Sequence, residues 1–166
     1  MKGAEYKPAV NSVCQRNVRA RQEIVWTRTH HINQRSESFG GYTRGCMADG
    51  AHLAGTGPTW QAMRLSLNHN WGQPILVDYV QDRSRKVTGR PGWEGLYIGD
   101  ISQPKGGPML TGHASHQIGL DADILMLNPT RLNLTAQERE NISSISMRPA
   151  RGHARIPNGH GSIAKF

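Results

Sequence analysis

The sequence predicts an α+β fold, a small antiparallel sheet flanked by helices. Apolar residues recur at helical spacing in some stretches, alternate or cluster as short β-rich runs in others, and Gly/Pro groups separate the two kinds. The first helical stretch is 58–68, where Trp60, Met63 and Leu67 share a face and Thr59 is placed to cap. The second is 74–86: Pro74 suits a first helical position, Ile75, Leu76, Val77, Tyr79 and Val80 make a broad apolar stripe, and charges gather after Gln81. Gly89-Arg90-Pro91-Gly92 then breaks the chain. Residues 95–101 are short and β-rich, and Lys105-Gly106-Gly107-Pro108 reads as a turn. From Gly119 the pattern alternates, so Asp121, Asp123 and Leu125 share one strand face and Leu120, Ala122 and Ile124 the other. Residues 135–144 read as a third helix, with Thr135 and Glu138 forming a capping box. Trp60, Trp71 and Trp93 are read as core or cleft-wall residues. No internal repeat is visible, and no Gly-rich loop precedes a helix as a phosphate site requires.

A chain of 166 residues normally makes one domain. Charge divides it. The formal net charge is +8, yet residues 1–35 carry seven Lys/Arg against two Glu, and 148–166 carry four Lys/Arg and no acid. Residues 36–147 carry nine Lys/Arg against ten Asp/Glu. The basic excess therefore lies in two flanks, expected to be poorly packed basic tails, around a middle of about 110 residues that can bury a small core. Aromatic residues do not interleave with the tail arginines and no nucleic-acid motif occurs, so nucleic acid is not expected as a partner. No apolar run is long enough for a signal core or a membrane span. Of the two cysteines, a Cys14–Cys46 bond is allowed by parity, but Cys46 is expected as a free, partly buried thiol.

Chemistry concentrates in Gly112-His113-Ala114-Ser115-His116-Gln117-Ile118-Gly119-Leu120-Asp121-Ala122-Asp123. Imidazole and carboxylate are usual ligands of a catalytic zinc, which keeps one position open for water. A turn at Gly119 would deliver His116 to Asp123 on a rigid strand. The spacing alone leaves two readings open: a metal site, or solvated loop histidines beside the wet face of an edge strand.

That string resembles the signature of the penicillin-insensitive murein endopeptidases, zinc peptidases related to D-Ala-D-Ala metallopeptidases and lysostaphin-type enzymes. Gly41-Tyr42-Thr43-Arg44-Gly45-Cys46, Thr59-Trp60-Gln61-Ala62-Met63-Arg64, Asn70-Trp71-Gly72-Gln73-Pro74 and Tyr97-Ile98-Gly99-Asp100-Ile101-Ser102-Gln103-Pro104 resemble further blocks of the family, in order. The resemblance runs from Ser38 to Met147, which makes 36–147 the family-like domain and leaves 1–35 and 148–166 unmatched.

The resemblance implies zinc ligation by His116 and Asp123, with His113 as a further metal ligand. It implies cleavage of the D-Ala to meso-diaminopimelate cross-links of peptidoglycan, hence cross-link peptides as partners and a periplasmic location, although Met1-Lys2-Gly3-Ala4-Glu5-Tyr6-Lys7-Pro8 opens no secretory signal. Arg64 and Lys105 are candidate anchors for substrate carboxylates. In the family the cysteine matching Cys46 pairs with one much further along. A third zinc ligand and a catalytic His are expected there from a His-x-His strand near the C-terminus. No His-x-His occurs in this chain, and His153 and His160 stand seven apart among Gly, Pro and Arg. No catalytic acid or base is therefore identified. The strand bearing Asp123 is expected to lack neighbours and to leave an exposed apolar edge. The expectation is a truncated zinc D,D-endopeptidase-like domain, the alternative a non-catalytic remnant that at most binds metal.

Overall fold

The computed structural model describes residues 36–109 and 112–144, together with the backbone of a strand at Ile163–Lys165. A hairpin comes first, β1 (Glu37–Gly41) and β2 (Arg44–Ala48), paired antiparallel with Gly40 opposite Gly45. Two short strands, β3 (Ala51–His52) and β6 (Trp71–Gly72), form a second antiparallel pair. The main sheet holds β4 (Thr56–Gly57), β5 (Trp60–Ala62), β7 (Leu96–Ile98), β8 (Asp123–Leu125) and β9 (Ile163–Lys165) in that spatial order. All neighbours in it are antiparallel except β5 and β7, which run parallel. The α+β class is as expected, and the sheet is mixed.

Helix α1 spans Pro74–Val87, with Pro74 in its first turn and Arg85 and Lys86 in its last, where cations suit the helix dipole. Leu76, Val77 and Val80 are buried and join Leu53, Trp60, Leu96, Ile98, Ile101, Ala122 and Ile124 in the larger core cluster. Helix α2, Ala136–Asn141, is short and carries the expected capping box: Glu138 N–H donates to the Thr135 hydroxyl, and the Thr135 amide donates to the Glu138 carboxylate. A smaller cluster of Met63, Tyr97, Leu125 and Leu134 fills the opposite face of the sheet.

The helix expected over 58–68 is absent. Trp60–Ala62 form β5, paired with β7, and only Leu65–Leu67 turn, as one 3₁₀ turn bounded by left-handed Arg64 and Asn68 (φ 50° and 52°). Trp60 and Met63 enter the two different core clusters, on either side of the sheet, and Gln61 fastens the strand to the backbone of Leu134. Their helical spacing is satisfied by strand pairing, which sequence periodicity does not report. Thr59 is no helix cap; its hydroxyl lies 2.6 Å from that of Ser84 on α1. Trp60 and Trp71 are buried core residues and Trp93 packs against the core, as expected.

Two further expectations are corrected. The strand bearing Asp123 is not an edge: β9 pairs with it antiparallel, Asp123 opposite Lys165 and Leu125 opposite Ile163. A stretch of the basic tail thus completes the sheet beside β8, and the reasoning from a severed sheet falls with it. Cys46 is fully buried and disulfide-bonded, not a free thiol. The other cysteine, Cys14, lies outside the described residues, as do residues 1–35, 145–162 and therefore His153 and His160.

Candidate metal centre

The loop 112–120 is tied at several points before it reaches β8. The Gln117 side chain accepts from Gly45 N–H at 3.1 Å and its carbonyl from Gly107 N–H at 2.9 Å. The Ser38 hydroxyl donates to the Ile118 carbonyl at 3.0 Å. Gln73 N–H, at the start of α1, donates to the Gly119 carbonyl at 2.8 Å. Gly119 has φ +69°, and a Cβ there would stand 2.4 Å from Met47 Sδ, so both the turn and the space require glycine. The hairpin and α1 therefore press this loop onto the end of the sheet.

The turn brings His113, His116 and Asp123 together: each offers one ligand atom, all within 4.8 Å of one another. That is somewhat wider than the roughly 4 Å that ligands of one zinc require of each other. His116 is fully buried, with a left-handed backbone at φ 73°. Its Nδ1–H donates to the Ile101 carbonyl at 2.7 Å, with the Asp121 carbonyl at 3.2 Å. In the neutral ring this places the proton on Nδ1 and the lone pair on Nε2. Nε2 is buried and makes no hydrogen bond, yet it faces Asp121 Oδ2 at 3.5 Å and Asp123 Oδ1 at 3.7 Å. A lone pair aimed at two carboxylates is repulsive unless a cation lies between them. The donor set fits a metal, and a carbonyl-held His with its second nitrogen free is the usual support of such a ligand.

The strand alternation is as expected where the residues are buried. Ala122 and Ile124 enter one core cluster, Leu125 the other, and Asp121 and Asp123 are turned to the site. Leu120 is exposed instead of joining its apolar face, because the strand begins only at Asp123.

Other groups border the site without having been singled out in the sequence. Asp100, at the end of β7, is 2% exposed and lies 3.7 Å from His113 Nε2 and 3.5 Å from buried His69 Nδ1. Burial raises its pKa, but the close approach of His69 and the charges of His69, His113 and Arg64 outweigh burial and hold it below the ordinary carboxylate value. The Tyr42 hydroxyl, at the tip of the β1–β2 hairpin, has its pKa pushed up by burial first and then by hydrogen bonding and charge interaction with Asp121. An aspartate ending a β-rich block, and a Tyr in a Gly-Tyr-Thr turn, are too common for sequence to mark them as site residues. Of the candidate anchors, Arg64 is half-buried and acts on Asp100 through its charge. Lys105 is placed by its backbone, its carbonyl accepting from Met47 N–H at 2.9 Å.

Comparison with known proteins gives a consistent result. A family model described as penicillin-insensitive murein endopeptidase matches residues 38–160, which extends past Met147 into the basic tail. A protein of that name from Haemophilus influenzae is 39% identical over 92 residues, covering 54% of this chain and 31% of the relative. One from Klebsiella pneumoniae subsp. pneumoniae is 32% identical over 126 residues, 69% of this chain and 46% of the relative. One from Citrobacter koseri is 37% identical over 101 residues, 61% of this chain and 36% of the relative. The chain thus matches between 31% and 46% of the length of these relatives.

Proposed function

This chain belongs to the penicillin-insensitive murein endopeptidase family, and from that premise we propose a zinc-dependent D,D-endopeptidase-type function in the periplasm, directed at the D-Ala to meso-diaminopimelate cross-links of peptidoglycan. The observation that carries the reading is His116 Nε2, buried, unbonded and facing two carboxylates. His113, His116 and Asp123 would hold the metal. Zinc in such a site polarises a scissile carbonyl and lowers the pKa of bound water to roughly 7.

The chain's own residues supply the setting. Ile101 keeps His116 aimed, and β7 and the Asp100 backbone lock Asp123, whose N–H donates to the Asp100 carbonyl at 2.8 Å. Arg64 and Lys105 remain the candidates for holding carboxylates of the cross-link peptide. Residues 36–147 form the working unit, with β9 closing its sheet.

A second reading is favoured by one specific feature. The chain contains no His-x-His pair, the pattern from which the family resemblance implies a catalytic His. On that reading the protein binds metal without cleaving. Zinc-loaded protein incubated with cross-linked muropeptide dimers separates the two: chelator-sensitive release of monomers supports the endopeptidase, and zinc uptake without release supports the non-catalytic binder. Failure to take up zinc would remove both.

A further inference from the structure

His116 is fixed by backbone carbonyls, whereas His113 stands on the loop with 30% of its side chain exposed. The groups that face its ring nitrogens are carboxylates. Its Nε2 lies 3.7 Å from Asp100 Oδ2, while its Nδ1 lies 3.9 Å from Asp123 Oδ2, so the ring bridges the two acids. A neutral imidazole carries one proton and one lone pair. The nitrogen facing an acid outside the ligand set takes the proton, and the other keeps the lone pair.

We propose that Asp100 is the positioning residue of this centre: it turns His113 so that Nδ1 is the atom offered to the metal, and His69 holds the Asp100 carboxylate from its other side. The inference rests on the metal-binding reading above and extends it to two residues outside the ligand set. Asp100 is suited to this because it cannot move independently of Asp123. Asp123 N–H donates to the Asp100 carbonyl at 2.8 Å, and Gly99 N–H returns a bond to the Asp123 carbonyl at 2.7 Å. Ile101, the next residue, donates its N–H to the His69 carbonyl at 2.7 Å and accepts from His116 Nδ1–H with its own carbonyl. The segment 99–101 therefore sets both histidines, one through a side chain and one through the main chain, and places His69 behind the carboxylate at 3.5 Å. His69, Asp100 and His113 do not form a second metal group. Among the described residues, only His113, His116 and Asp123 bring ligand atoms to one point.

The test is zinc affinity of the full chain, read by competition with a chromophoric chelator, for wild type, Asp100→Asn, His69→Gln, His113→Ala and the double variants. Asp100→Asn should weaken zinc binding about 10–100-fold, the usual effect of losing a group that orients a ligand. His69→Gln should weaken it less. On the His113→Ala background neither substitution should cost anything further, a non-additivity that a merely structural defect would not show. If Asp100→Asn does not fold, His69→Gln alone and combined with His113→Ala decides by the same comparison. Wild-type affinity in the Asp100 and His69 variants, or losses that simply add to that of His113→Ala, would overturn the inference. A wild-type chain that takes up no zinc, or a His116→Ala variant that binds as well as wild type, would instead bring down the metal reading itself.

Discussion

The two histidines of the candidate centre stand on walls built by opposite means. His116 is fully buried, its Nδ1–H is held by main-chain carbonyls, and the Gly119 turn behind it is bonded to α1. His113 is partly exposed and faces side-chain carboxylates on both nitrogens. The first wall is part of the fold, since nothing short of moving β7 or the turn can rotate that ring. The second depends on single side chains, which can be replaced without disturbing the core. A carbonyl acceptor sets a tautomer permanently, whereas a carboxylate does so only while its own partners hold it.

The largest expected effect tests the first wall. His116→Ala should abolish zinc binding, a loss well beyond the 10–100-fold of outer groups, and leave Asp121 and Asp123 facing each other across a buried gap. Equilibrium dialysis with zinc checks this, and retention of a tight site would break the contrast between the walls. Next is the effect of metal on stability. Zinc at about 100 times its Kd should stabilise the fold by about 2.7 kcal/mol, which raises the midpoint of thermal unfolding by roughly 5–11 °C for a chain of this size. His113→Ala should keep part of that rise and His116→Ala none of it; equal losses would show the walls to be equivalent.

A smaller effect separates turn from space. Gly119→Ala places a Cβ against Met47 in a left-handed conformation and should destabilise the metal-free protein by about 1–3 kcal/mol in urea unfolding. Gly107→Ala, at φ +80° but with open space around its Cβ, should cost less, about 1 kcal/mol. Equal costs would mean that backbone strain alone, and not the fit against Met47, holds the first wall.

The smallest effect lies away from both walls. The Glu138 pKa is lowered to about 2, chiefly by the Thr135 backbone bond, then by Arg131 and the Thr135 hydroxyl. A depressed carboxylate contributes stability above its unfolded value of 4.5, and that contribution is lost as pH falls through its folded value. The fraying of α2 should therefore begin below pH 4.5 and be complete near 2, while Glu138→Gln should flatten that part of the profile. Amide exchange across Ala136–Asn141 is the readout; a profile unchanged in the variant would contradict the capping role.

Elements whose logic is local were legible in the chain. The stripe of α1, its leading Pro74 and the Thr135–Glu138 box each lie within a few residues, and all three formed as read. The segment 58–68 misled because Trp60 and Met63 are apolar for two different cores, which one helix face cannot express. In the site, His116 and Asp123 could be paired through the Gly119 turn. Asp100 and His69 could not, because they meet across 31 residues through a bond network that no spacing rule describes.

By itself, then, the chain marked His113, His116 and Asp123 as candidate metal ligands, and determined the course of α1, the cap that starts α2, and the turn that joins His116 to β8. These follow from short-range sterics, capping and alternation, which act between neighbours in sequence. Tertiary structure alone decided that Trp60–Ala62 is a strand, that Ile163–Lys165 pairs with β8, that Cys46 is bonded, and that the Ile101 carbonyl and Asp100 carboxylate face the two histidines. Each of these depends on a partner distant in sequence, and it is burial of the shared core that brings such partners within bonding distance.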